Sequence, residues 1–208
     1  MFKLLPISSL MVASLILTSC ASMPKLGSKP EFTSNIIDQQ RTYKSFKVDN
    51  YTDAPLRIVK KVHFPFSASE AHKILNLKIP TWFESIPKVE YFRNNRKLSA
   101  SQIKSGSERV CAFGDDRLVE EIIQWKPGKF VAYRIDGKKS NLSLPIKDHL
   151  AMMNIEDDGK GGSLLTWRTY YNKKFHIMAP IVTMGLSSQM DDALTNLTEK
   201  YGGTLLSL

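Results

Sequence analysis

Cysteine is almost missing from this chain: its 208 residues hold two, Cys20 and Cys111, so neither a disulfide-stapled scaffold nor a cysteine-rich metal cage can be built. Histidine is scarce too. His63, His72, His149 and His176 sit at spacings that match no metal-ligand pattern, and neither a glycine-rich phosphate loop nor a Ser-His-Asp signature accompanies them. No metal and no cofactor is therefore expected, and catalytic candidates are thin. Acidic side chains are in deficit, 20 against 29 lysines and arginines, which leaves a formal charge of +9 and points to anionic partners. No apolar run is long enough to cross a bilayer as a helix: the stretch from Leu4 to Leu17 is short and broken by Pro6 and serines.

That stretch reads instead as a cleaved export signal. Lys3 precedes it, and Leu17-Thr18-Ser19-Cys20 closes it in a pattern that resembles the lipobox of bacterial lipoproteins. The resemblance implies cleavage before Cys20, a thioether-linked diacylglycerol on its sulfur and, usually, an acylated amino terminus. Two or more acyl chains anchor stably where one does not. The expected location is then the cell envelope, on a membrane through the N-terminal lipid. In a Gram-negative bacterium, Ala21 in place of aspartate favours the outer membrane, facing the periplasm. Nucleic acid is not expected as a partner there, and anionic lipid head groups suit the basic surplus better. The plainer alternatives are an ordinary secretory signal with a cysteine near its cut, and a basic surface that is merely solvated.

Residues 1–19 are thus assigned to the signal. Residues 20–55 are assigned to the lipidated cysteine and a tether rich in Ser, Lys, Pro, Asn and Asp, and residues 56–208 to one domain. Leu56 to Phe64 alternates as a half-buried strand, and Ser67-Ala68-Ser69-Glu70 opens a short helix with a capping-box pattern. Strand-like runs follow at Val89–Arg93, Arg109–Phe113, Leu118–Trp125, Lys129–Asp136, Pro145–Ile155 and Ser163–Asn172, separated by turn signals. From about Pro180 to Tyr201 the residues Val182, Leu186, Met190, Leu194, Leu197 and Tyr201 share one helical face, and Gly202-Gly203 ends the pattern.

One strand, a small helical hairpin, six antiparallel strands and a long C-terminal helix is an order similar to the α+β helix-grip fold of START and SRPBCC proteins. Local sequence resembles their polyketide cyclase/dehydrase group in four places: Val62 to Glu70, Trp82-Phe83 leading to Ile86-Pro87-Lys88-Val89-Glu90, Ile123 to Gly128 running on to Tyr133-Arg134-Ile135, and Gly162 to Arg168. The resemblance spans about Leu56 to Tyr201. It departs at Lys126, where the group carries aspartate, and it brings no single catalytic motif.

The resemblance implies a seven-stranded curved antiparallel sheet wrapped around the last helix, with a pocket for a hydrophobic small molecule between them. Lining residues are then expected among Trp82, Tyr133, His149, Met153, Trp167, Tyr171 and Met184: bulky and apolar, with a few polar tips. Leu150 and Met152 fall on the outer side, where an apolar pair needs cover. The leading reading is an envelope lipoprotein that binds or transfers a lipid, quinone or isoprenoid-like molecule. One alternative is a cyclase, dehydrase or isomerase using the same cavity, with His149, Tyr133 and Glu121 as candidates for acid-base work. Another is an envelope interaction protein with a filled core.

Overall fold

The computed structural model describes residues 41–174 and 179–207. The expectations for Cys20 and His176 lie outside the described residues. No helix among those described is long and apolar enough to cross a membrane.

Two short strands, β1 (Thr42–Tyr43) and β2 (Phe46–Lys47), pair as a hairpin and lead through a single 3-10 turn at Val48–Asn50 to β3 (Leu56–Phe64). Pro65 ends β3, and Ser67 Oγ accepts a hydrogen bond from the Glu70 amide at 3.4 Å to cap α1 (Ala68–Leu77). The capping box is only half formed, because the Glu70 carboxylate reaches Lys73 and Lys78 instead of the cap amide. Strands β4 (Lys88–Arg93), β5 (Arg96–Lys97), β6 (Glu108–Phe113), β7 (Asp116–Lys126), β8 (Phe130–Ile135), β9 (Ile146–Asp157) and β10 (Ser163–Lys173) follow. The chain then forms α2 (Ala179–Tyr201) and a last short strand, β11 (Thr204–Leu206). Gly202, at φ +82, ends α2 as the double glycine suggests.

Nine strands form one antiparallel sheet in the order β11-β3-β10-β9-β8-β7-β6-β4-β5. Seven of them are the runs read from sequence. The other two, β5 and β11, are edge strands of two and three residues, too short to show a period. The inner face packs on α1 and on the buried stripe of α2 formed by Met190, Ala193, Leu194 and Leu197. Lys60 Nζ meets the Asp191 carboxylate at 2.6 Å and ties β3 to that helix.

The outer face corrects the tether boundary. Residues 41–55 are part of the packed domain: Phe46, Val48 and Ala54 bury themselves against Phe130, Ala132, Leu150, Met152 and Tyr170. This cap is what covers Leu150 and Met152. Arg41 holds it closed by donating to Ala54 O at 3.0 Å and Thr52 O at 2.6 Å, beside an ion pair with Asp49.

Candidate functional site

Strand register decides what enters the interior. Arg109 on β6 stands directly opposite Glu120 on β7, and both point inward with Cys111, Ile122 and Tyr133. Arg109 Nε donates to Glu120 Oε2 at 2.6 Å, with the two side chains only 4% and 7% exposed. The guanidinium lies 4.1 Å over the Tyr133 ring. Burial works to lower the pKa of Arg109, but Glu120 and the surrounding tyrosines hold it well above the ordinary arginine value. Burial raises the Cys111 thiol, with Glu120 adding to the effect, so Cys111 stays a protonated, inert thiol.

Next along the sheet, His149 on β9 faces Tyr133 with ring centroids 6.1 Å apart. Burial lowers its pKa to about 4; Arg109 adds to the shift and Glu120 opposes it, so the imidazole is neutral at pH 7. Met153 pairs with Trp167 across β9 and β10, and Ala151 pairs with Thr169. The Tyr171 hydroxyl bonds Thr183 Oγ1 of α2 at 3.1 Å, which joins the last long strand to the helix.

Several inward polar atoms are buried with no partner among the described residues: Arg109 Nη1, His149 Nδ1, Trp167 Nε1 and Thr169 Oγ1. A second group lies where α1 meets the sheet. There both ring nitrogens of His72 and Oδ1 of Asn76 are unmatched, with His72 edge-on to Trp125 at 4.7 Å. Burial lowers His72 to about 4 as well. An unmatched buried polar group costs roughly 1–3 kcal/mol, so each of these atoms calls for a partner that the neighbouring side chains do not supply.

At one end of the grip a cleft of about 300 Å³ opens, lined by Ile135, Leu142, Leu144, Ile146, His149 and Lys174 among others. A wider one of about 660 Å³ lies toward the cap, between residues 49–53 and Glu121, Arg134, Asp136 and Asp148; His149 borders both.

Of the expected pocket residues, His149 alone lines these clefts; Tyr133, Met153, Trp167 and Tyr171 are buried in the core and line neither. Three expectations are corrected. Trp82 is 1% exposed and its indole N–H is taken by Ile74 O of α1 at 3.0 Å, so it is packing between α1 and the sheet. Met184 is 70% exposed, on the side of α2 away from the buried stripe. Glu121 points outward to an ion pair with Arg134 at 2.7 Å, and Glu120 is the carboxylate inside. A register shift between Ile122 and Gln124 lies after Glu121 and does not turn it inward. Arg109 and Glu120 escaped the sequence reading because both faces of β6 and β7 carry apolar residues. The phase Leu118-Glu120-Ile122, opposite Arg109 and Cys111, was the available signal.

No protein-family model matches the chain, and no curated protein does. Solved structures do. The Bacillus cereus protein XoxI is similar at 16% identity and a TM-score of 0.52, over 69% of this chain and 94% of its own. A protein from Thermobifida fusca is 19% identical with a TM-score of 0.52, over 70% of this chain and 92% of its own. Major latex-like protein 151 from ginseng, Panax ginseng, is 13% identical with a TM-score of 0.52, over 69% and 95%. Likeness at such identities is a likeness of fold, and it agrees with the strand order and the long C-terminal helix: the chain has the α+β helix-grip fold.

Proposed function

We propose that this domain holds a hydrophobic small molecule, a lipid, quinone or isoprenoid-like compound bearing at least one acceptor oxygen, in the grip of the sheet around α2. The observation that supports this most is the set of unmatched donors on the inner face. Arg109 Nη1 and Trp167 Nε1 can only donate, and Thr169 and His149 can complete the set. A carbonyl or hydroxyl oxygen on an otherwise apolar body could accept from one or two of them, with Met153, Tyr133 and Tyr171 supplying apolar contact. The cleft at His149 is the entrance.

The residues favour holding over turnover. A histidine titrating at about 4 is a weak base at neutral pH, and the Tyr133 phenol, raised by burial, is a weak acid. The reading therefore includes no reaction. The cyclase or isomerase alternative rests on the same His149 and Tyr133, with the inward Glu120 in place of the expected Glu121.

The place of action in this proposal is the envelope surface, through lipid on Cys20. Its support is the lipobox pattern alone. Anionic head groups fit the rim of the cleft: Arg57, Lys147, Lys173 and Lys174 cluster there, and Lys173 is lowered by burial and by repulsion from Arg57. Ile181 and Met184, 51% and 70% exposed, stand on the first half of the adjoining helix.

The test is to strip the purified protein of lipid and titrate it with a ubiquinone analogue and with oleate, following tryptophan fluorescence. Saturable one-to-one binding, with ligand recovered chemically unaltered, supports the proposal. No binding of either would overturn it, and a new product lost in His149→Gln would establish the enzyme instead. For the anchor, wild-type protein is expected in the membrane fraction and Cys20→Ala outside it.

A further inference from the structure

We propose that Thr52, in the cap on the outer face, is a positioning residue for His149 on the inner face: its hydroxyl pins the β-bulge that turns the imidazole into the interior. Between the pairs Lys147↔Asn172 and Leu150↔Tyr170, strand β9 has two residues, Asp148 and His149, where β10 has only Tyr171. That extra residue changes the phase of the strand. Ile146, before it, and His149, after it, both face inward, and both line the 300 Å³ cleft. Without the bulge the two would fall on opposite faces.

The bulge is held against its own preference. Asp148 has φ +54, the left-handed region that glycine usually fills at this position of a bulge. A non-glycine residue stays there when its surroundings over-determine it, and two contacts do so. Thr52 Oγ1 donates to Asp148 O at 2.8 Å, and Asn172 Nδ2 donates to Asp148 Oδ2 at 3.0 Å. Thr52 is itself fixed: its hydroxyl accepts from the Ala54 amide at 3.1 Å, and its carbonyl accepts from Arg41 at 2.6 Å. A continuous chain of contacts thus runs from Arg41 through Thr52 and Asp148 to His149. The cap that seals the outer cluster also sets the entrance on the other side of the sheet.

The consequence for ligand capture rests on the binding function proposed above, whereas the position of His149 can be read without any ligand. The charged and titratable groups facing His149 are Arg109 from β6, Glu120 from β7 and Tyr133 from β8, with Lys147, Asp148 and Lys174 in the inner cleft and Asp49, Tyr51, Asp53, Glu121, Arg134, Asp136 and Lys138 around the outer one. His72, buried on α1 and lowered to about 4 as well, is an internal reference within the same molecule.

The experiment is NMR titration of the two histidine rings in the full chain, carrying Cys20→Ala for solubility, across four backgrounds. Thr52→Val is expected to raise the His149 midpoint by at least one pH unit, toward the solvent value of about 6.5, and to leave His72 where it is. Thr52→Ser, which keeps the hydroxyl, is expected to leave both unchanged. Adding Asp148→Gly to Thr52→Val removes the need for the restraint and should return His149 to its wild-type midpoint. Should Thr52→Val not fold, Asn172→Ala releases Asp148 from the other side and gives the same readout. An unchanged His149 in folded Thr52→Val, or His72 and His149 moving together, would overturn the proposal. A chain that captures no ligand but shows these titrations would sink the binding function and leave the positioning role standing.

Discussion

The two faces of the same sheet are buried by different means. Outside, Phe46 packs at 5.3 Å from Phe130 and 4.9 Å from Tyr51, Leu150 and Met152 are sealed beneath them, and the nearby cations Arg41 and Arg168 lie against Tyr170 and Tyr43. That cluster is a side-chain jigsaw of the kind that stabilises a fold. Inside, the core is larger, and it contains a buried ion pair, two neutral histidines and unmatched donors. Unmatched polar atoms occur on both faces, Gln124 Oε1 and Asn154 Nδ2 on the outer one, but the buried ion pair and both neutral histidines are on the inner side, where the fold makes its concavity. On the function proposed above, the difference separates a face that holds the sheet together from a face that meets a ligand.

The largest effect should come from splitting the inner ion pair. Glu120→Ala leaves Arg109 charged and buried, at an expected cost of about 3–5 kcal/mol in urea unfolding. Replacing both partners, Arg109→Met with Glu120→Leu, should restore most of that stability while removing ligand capture. Equal stability losses for the single and the double variant would contradict this account of the pair. On the outer face, Phe46→Ala should cost ~3 kcal/mol and leave the affinity of the folded protein for ligand unchanged.

Acid offers a third way to set the faces apart. His72 and His149 take a proton near pH 6.5 when unfolded and only at about 4 when folded. Below 6.5 the unfolded chain therefore binds more protons, and stability falls as pH drops from about 6.5 to about 4, then levels. The loss is at most ~3 kcal/mol per histidine. Urea midpoints at pH 7, 5.5 and 4.5 measure it, and His72→Phe should flatten part of the slope. A midpoint independent of pH over this range would show that the imidazoles are solvated. The smallest effect is expected from Trp167→Phe, which removes an unmatched indole N–H. Stability should change by less than ~1.5 kcal/mol, and affinity for an oxygen-bearing ligand should fall.

Periodicity carried most of the architecture. Seven strands, α1 and the buried stripe of α2 follow from alternation and four-residue steps that the structure reproduces. The cap did not follow, because Tyr43, Phe46, Val48 and Ala54 have no period of their own and make sense only against Leu150 and Met152. The outward apolar pair signalled that something must lie there, without saying what. Glu120 and Glu121 differ by one residue, and a one-residue change of phase exchanges the two faces of a strand. With apolar neighbours on both faces, alternation alone left that choice open. Met184 was chosen for its residue type, although the stripe through Val182, Leu186 and Met190 turns it away from the core. The unmatched donors are a property of tertiary packing, and no spacing along the chain records them.

The central claim is that the polar inner face holds an apolar molecule. Native mass spectrometry of the purified protein, followed by lipid extraction, tests it most directly on three forms: wild type, the Arg109→Met with Glu120→Leu variant, and Phe46→Ala. Wild type and Phe46→Ala should each carry one copy of an apolar, oxygen-bearing compound that the inner-face double variant lacks. Wild-type protein without such a compound even after incubation with a total lipid extract, or equal retention by the double variant, would contradict the account.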